Sequence, residues 1–299
     1  MNGKGVSDKK GVEEQRPEFL TSVTMSDSDF SLFSELIQNL CAIRMPIVKK
    51  TMLEARLRKR MRILGLTSFR QYWNYIDSSQ GRQDELVHMI DVVTTNKTDF
   101  FREPAHFEYL YNKALPDLQA GWDTGKQRSL RVWSAGCSTG KEAYTLAMIL
   151  TEYSRKEKAL DFSILGTDIS TKALEKAARG IYDQDKAATI PVAYRKTYLL
   201  KSKDKSDRLI RIVPEIRSRV TFDRLNFLDE NYGFNIPFDV IFCRNVIIYF
   251  DRENQQRILS KVCRHLAVDG YLFTGHSETL HGMKLPIKPM APSVYRKES

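Results

Sequence analysis

Residues 130–150 read LRVWSAGCSTGKEAYTLAMIL. Leu130, Val132 and Trp133 are apolar and β-favouring, and Ala143, Leu146, Ala147 and Leu150 then recur at helical spacing. Between the two runs lie Gly136 and Gly140, with Ser138 in the middle and Lys141 just after. The stretch therefore predicts strand, glycine turn and helix, the opening unit of an α/β sheet. Ligands of such sheets bind beyond the carboxyl ends of the strands, which makes this turn a candidate site.

Three chemistries use a turn of this kind. A phosphate-binding P-loop keeps four residues between its glycines and places Ser or Thr after the Lys. Here three residues separate Gly136 from Gly140, and Glu142 follows Lys141, so the hydroxyl that would hold Mg²⁺ is missing. A nucleophile elbow, G-x-S-x-G, needs a later acid and then a His. Gly136-Cys137-Ser138-Thr139-Gly140 matches it literally, and His265, His276 and His281 keep it open on inventory. The third is the cofactor loop of a class I methyltransferase, which binds S-adenosylmethionine (SAM). It needs glycines for close backbone approach and, by analogy with the dinucleotide fold, an acid after the next strand for the ribose hydroxyls. DFSILGTDIS supplies a strand over 162–166 and then Asp168, 32 positions after Gly136 and so one helical crossover away. Alone, Asp168 reads as a helix cap. Paired with the glycine turn, it favours the ribose reading.

Composition sets the frame. A chain of 299 residues fills one large or two ordinary domains, and 42% hydrophobic content supplies a sizeable core. No apolar run approaches about 18 residues, and the charged start MNGKGVSDKKGVEEQRPE has no apolar signal region. Neither membrane insertion nor secretion is expected. Cys41, Cys137, Cys243 and Cys263 lie far apart without C-x-x-C spacing, which argues against a disulfide framework or a cysteine metal site and fits the cytoplasm. The net charge of +10 implies an acidic partner without naming it.

Along the chain, residues 1–25 are polar and expected to be disordered. SDSDFSLFSELIQNL opens on a capping-box pattern, Ser26 and Asp29, before Phe30, Phe33, Ile37 and Leu40. KKTMLEARLRKRMRILGL carries Leu53, Leu57, Met61 and Leu64 on one side, and SFRQYWNYI and DELVHMIDVVTTN read as further helices. An all-α domain over 26–100 follows, joined through TTNKTDFFREP to an α/β domain over 101–299. Strands are expected at 130–134, 162–166, 219–223, 238–243 and 269–275, alternating with helices in a mostly parallel sheet. Residues 190–218 break that rhythm with two β-like runs around the charged turn Lys203–Asp207, an antiparallel insertion.

TTNKTDFFRE, SAGCSTGKEAYTLAM, FDVIFCRNVIIYFD and GYLFTGHSE, in this order and behind a helical domain, resemble the chemotaxis-receptor methyltransferases of the CheR family over residues 26–297. The resemblance implies SAM-dependent methylation of receptor glutamates to γ-glutamyl methyl esters, with S-adenosylhomocysteine as the other product and no metal. It implies a Rossmann-like domain carrying a small β-subdomain, where the 190–218 insertion falls. It also implies a monomer acting on methyl-accepting chemotaxis receptors, without nucleic acid. By motif, cofactor contacts fall on Asn96, Thr98, Arg102, Glu142, Asp168, Asn226, Phe227, Arg244 and Asn245, and the catalytic positions on Arg102 and Tyr249.

The residue types agree with these roles, each beside a plainer one. Asp168 accepts from ribose hydroxyls. Glu142 pairs with the SAM ammonium or merely favours the first helical turn. Asn226 meets the adenine amino group or shapes a turn. Arg102 forks onto a carboxylate or is solvated. Tyr249 lines the transfer slot or simply packs. His276 reads as a structural residue at a strand end. Glutamate, with an ordinary pKa near 4.3, is already a nucleophilic carboxylate at neutral pH, so no catalytic His is required.

Residues 49–62 hold seven basic residues against Glu54. Lys49, Arg56 and Arg60 share one stripe, expected to dock acidic receptor helices. The plain alternative is a solvated face, and the rival partner is nucleic acid. Against the rival, the fourth-strand motif reads CRNVIIYF, not the Asn-Pro-Pro-aromatic type of amino-methylating enzymes. A non-catalytic SAM-binding scaffold is the third alternative; the intact cofactor positions argue against it.

Overall fold

The computed structural model describes residues 23–122, 128–157, 160–204 and 206–298. Residues 1–22, which make up nearly all of the expected tail, lie outside the described part.

Five helices form the first layer: α1 (Asp27–Cys41), α2 (Lys50–Leu64), α3 (Phe69–Asp77), α4 (Ser79–Asp84) and α5 (Leu86–Val93). Ser26 caps α1 as its spacing predicts: the Asp29 N–H donates to Ser26 Oγ at 3.0 Å, and that hydroxyl donates to Asp29 Oδ2 at 2.7 Å. Gly65, at φ 68°, ends α2 in the left-handed region that glycine reaches without strain. The apolar stripes close on one core built around Phe33, Ile37, Leu53, Leu57, Tyr72 and Met89. Val23 and Met25 pack on this core rather than belonging to a loose tail. Met25 is buried, and Arg58 donates to the Val23 carbonyl through Nε (2.9 Å) and Nη2 (2.7 Å).

The segment after the linker is helical, which the sequence reading left unassigned. α6 (Pro104–Tyr109), a π turn (Leu110–Ala114) and α7 (Leu115–Ala120) run end to end. Phe107, Leu110, Leu115 and Leu118 pack into the core of the sheet, not of the helical domain.

The α/β part then runs β1 (Ser129–Ala135), α8 (Lys141–Glu157), β2 (Asp161–Asp168), α9 (Thr171–Arg179), β3 (Ile181–Asp183), α10 (Val192–Tyr198), β4 (Leu199–Lys201), β5 (Leu209–Ile212) and α11 (Pro214–Arg217). It ends with β6 (Val220–Arg224), β7 (Phe238–Cys243), α12 (Arg252–Arg264), β8 (Leu266–Thr274), β9 (Ile287–Ala291) and β10 (Val294–Lys297). The main sheet has the order β6-β2-β1-β7-β8-β10-β9. Its first five strands are parallel, and β10 is antiparallel to β8 and β9. All six residues of β7 are buried, as expected of a central strand covered on both faces. Strand order reverses between β1 and β7, so the crevice at their carboxyl ends is the place for a ligand.

Two features differ from expectation. The small antiparallel sheet β3-β5-β4 begins at Ile181, before the predicted 190–218 insertion, because a three-residue strand leaves no readable alternation. The β9–β10 hairpin was masked by prolines in KLPIKPMAPSVYRK. Pro289 is tolerated because β9 is an edge strand and needs no ladder N–H there.

Candidate active site

The floor of the crevice is the turn between β1 and α8. Gly136 (φ 79°) and Gly140 (φ 80°) both occupy the left-handed region. A Cβ on Gly140 would stand 2.7 Å from Ala177 Cβ, so α9 approaches too closely for any side chain. Asp168, at the end of β2, accepts from the Ser138 N–H (Oδ2, 2.8 Å) and the Ser170 N–H (Oδ1, 2.9 Å). One half-buried carboxylate thus fixes both the glycine turn and the start of α9. Burial pushes its pKa up, against the pull of those N–H donors. Ser170 caps α9, and its hydroxyl donates to Asp91 of α5 at 2.7 Å, while the Thr171 hydroxyl donates to the other Asp91 oxygen at 2.8 Å. The helical domain is therefore hydrogen-bonded to the cofactor floor itself.

The linker forms the near wall. Lys141 is buried, and its ammonium donates to the Thr98 carbonyl at 2.8 Å with Asp99 at 3.7 Å. It straps the linker onto the glycine turn, a use unrelated to phosphate. The Ser138 hydroxyl donates to the Asn96 carbonyl at 3.1 Å, and among the described residues no histidine accepts from it. The elbow reading fails on this geometry. Arg56 of α2 donates to the Val93 and Thr94 carbonyls and, at 3.3 Å, to Thr95 Oγ1, so it holds the linker's entry.

Arg244, after β7, is the electrostatic centre. Its side chain is 2% exposed and lies between Glu142 (Nη1 to Oε2, 3.0 Å) and Glu103 (Nη2 to Oε2, 2.9 Å). Ser134 Oγ donates to the other Glu142 oxygen at 2.8 Å. Burial raises the Glu142 pKa, with Arg244 opposing the rise. At Glu103 burial also acts upward, but the Arg244 hydrogen bond and charge, with Asn245 and His276, outweigh it and hold the carboxyl low. Glu103 and Glu142 flank the guanidinium of Arg244, and Arg102 Nε stands 3.9 Å from Glu103 Oε1 at the edge of the cluster.

The loop after Arg244 is organised by a residue that sequence reasoning passed over. Glu278, 5% exposed, accepts from the N–H groups of Asn245 (2.9 Å), Val246 (2.8 Å), Ile247 (2.7 Å) and Gly275 (2.6 Å). The GHSE motif that contains it was the available signal. Asn245, at φ 56°, is held in the left-handed region by this cradle. Tyr249 follows and also lines the crevice.

Of the sequence-predicted residues, Lys49, Asn96, Thr98, Arg102, Glu142, Asp168, Asn226, Phe227, Arg244, Asn245 and Tyr249 all line one crevice. Asn226 meets it as a turn residue. Its Oδ1 accepts from the Leu228 N–H at 3.0 Å, and its Nδ2 donates to the Leu40 carbonyl of α1 at 2.7 Å. Arg56 and Arg60 do not fit the predicted docking stripe. Arg60 forms a bidentate pair with buried Glu85 (2.8 and 2.7 Å), whose Oε1 also accepts from Tyr72 Oη at 2.8 Å. The stripe was read from spacing alone, and spacing does not reveal that Glu85, 25 residues on, meets it inside the domain. The exposed basic residues of α2 are Lys59 and Arg62.

Comparison with known proteins agrees with this architecture over nearly the whole chain. The CheR methyltransferase SAM-binding domain matches residues 96–295, and the CheR all-alpha domain matches residues 28–94. The chain belongs to the CheR methyltransferase family. A chemotaxis protein methyltransferase of Borreliella burgdorferi is 36% identical over 280 residues, covering 93% of this chain and 97% of the relative. One from Escherichia coli is 36% identical over 275 residues (91% and 92%), and chemotaxis protein methyltransferase 2 of Pseudomonas aeruginosa is 33% identical over 267 (89% and 92%).

The residues present fit SAM. Asp168 and Glu142 offer carboxylates along the crevice to a ligand that carries ribose hydroxyls, an ammonium and a sulfonium. Ser138→Ala is expected to leave methyl transfer within a few-fold of wild type, because one neutral hydrogen bond to Asn96 is worth about 1 kcal/mol. Steady-state kinetics checks this; near-complete loss of activity in a folded, SAM-binding variant would restore a chemical role to Ser138.

Proposed function

We propose that this enzyme transfers the SAM methyl group to glutamate side chains of chemotaxis receptors, giving γ-glutamyl methyl esters. The observation that carries this reading is the contrast between two arginines. Arg244 is buried and ion-paired to both Glu142 and Glu103, whereas Arg102 stands at the crevice with 40% of its side chain exposed and its nearest carboxylate oxygen, Glu103 Oε1, 3.9 Å away. Arg102 is thus the guanidinium free to fork onto an incoming carboxylate. SAM, when bound, supplies an activated methyl on a sulfonium. The protein's part is alignment and exclusion of water: Asp168 and Glu142 set the cofactor end, Arg102 the carboxylate end, and Tyr249 the wall beside the transfer path. An ionised glutamate needs no general base. Purified enzyme incubated with methyl-labelled SAM and receptor-bearing membranes should yield a base-labile methyl ester on receptor. Base-stable label on nucleic acid would overturn the reading.

The charge that meets the receptor is reassigned to Lys59 and Arg62, three apart on the exposed side of α2. Lys59→Glu with Arg62→Glu is expected to lower the rate of receptor methylation several-fold at low salt while SAM affinity stays unchanged. The defect should shrink as salt screens exposed charge. Equal rates at both salt levels would remove α2 from docking.

A further inference from the structure

Outside the lining of the crevice, at the junction of α6 with the end of β8, three donor side chains converge. We propose that Glu103, His106 and His276 bind a divalent transition metal of the zinc class. Glu103 Oε2 lies 3.4 Å from His106 Nδ1 and 3.8 Å from His276 Nε2, and the three ligand atoms fall within 4.8 Å of one another. A tetrahedral zinc with bonds of about 2.0–2.1 Å separates its ligand atoms by about 3.3 Å, so small side-chain adjustments close the set. Two imidazoles and one carboxylate suit zinc, cobalt or nickel, whereas magnesium and calcium prefer all-oxygen shells.

Independent support comes from His106. Its side chain is 2% exposed, and neither ring nitrogen has a hydrogen-bond partner of good geometry, the Pro292 carbonyl being only a marginal acceptor for it. Buried polar atoms without partners are uncommon and call for a ligand or an ion. Glu103 sits immediately before α6 at φ 58°, a conformation that costs a non-glycine residue energy. His276, 53% exposed, brings one edge of the cluster to solvent.

One neighbour opposes the metal. Arg244 Nη2 is 2.9 Å from the same Glu103 oxygen, so the ion shares that atom with a guanidinium and binds more weakly than in a closed structural zinc site. The proposal gives the metal no part in methyl transfer. Its structural consequence is a clamp between the start of α6 and the end of β8.

The test titrates untagged, metal-stripped full-length protein with CoCl2 and then ZnCl2. One equivalent of cobalt should bind with the visible d–d bands of a tetrahedral nitrogen and oxygen site, and zinc should displace it. Zinc should also raise Tm, since a ligand of the folded state stabilises it. His276→Ala, at a half-exposed position, should keep its circular dichroism and SAM binding but lose at least tenfold in metal affinity. His281→Ala, at an exposed histidine outside the cluster, should bind metal as wild type does. Absence of stoichiometric binding, unchanged affinity in His276→Ala, or a thiolate-to-cobalt charge-transfer band placing the metal on cysteine would each overturn the proposal.

Discussion

Arg244→Met is expected to destabilise the protein by about 3–5 kcal/mol, the cost of leaving buried charge without its partner. Both Glu103 and Glu142 lose their cation at once, and both sit where burial acts to raise their pKa. The pH dependence separates this cause from lost packing. With the guanidinium gone, the folded-state pKa of each carboxyl rises above its unfolded value. Such a group costs nothing below the unfolded pKa and progressively more as pH climbs through the folded one. The deficit should therefore narrow as pH falls from 7 towards 5. Urea unfolding of variant and wild type at both pH values measures it. A deficit independent of pH would mean that the arginine contributes by packing, through its stacking over Phe107 and Phe242, rather than by charge.

Asp168→Ala is expected to weaken SAM binding at least tenfold, and more if the glycine turn relaxes. Hydrogen bonds to a charged group contribute about 1.5–3 kcal/mol each, and tenfold in affinity is about 1.4 kcal/mol. The variant loses the acceptor proposed for the ribose hydroxyls together with those for the Ser138 and Ser170 N–H groups. Calorimetric titration with S-adenosylhomocysteine checks it, with circular dichroism as the control for folding. Unchanged affinity would remove Asp168 from the cofactor site.

Much of this architecture was legible because it is written in local pattern. The glycine turn between an apolar strand and an amphipathic helix announced the α/β sheet, and the acid after β2 fell where the crossover length placed it. The capping residues of α1 were visible for the same reason: Ser26 and Asp29 interact across three positions. What escaped depends on partners distant in sequence. Arg60 looks like a free surface charge until α5 brings Glu85 to it. Lys141 looks like a phosphate grip until the linker folds back to offer the Thr98 carbonyl. Glu278 looks like an ordinary loop acid, yet it assembles the turn that follows β7, 30 residues or more upstream. Short strands were missed for another reason: β3 has too few residues to show alternation, and prolines mask β9.

The hydrogen bonds from Ser170 and Thr171 to Asp91 carry a thermodynamic consequence. The N-terminal cap of α9 is completed from another domain, so lifting the helical domain away must fray the first turn of α9 and loosen Asp168 beside it. Domain opening and cofactor loss are then coupled free energies. Coupling of this kind is reciprocal: whatever the closed arrangement adds to cofactor affinity, the cofactor returns as resistance to opening. Amides of α5 and of the first turn of α9, though they belong to different domains, should exchange with solvent as one cooperative unit, and a bound nucleoside should slow both by the same factor.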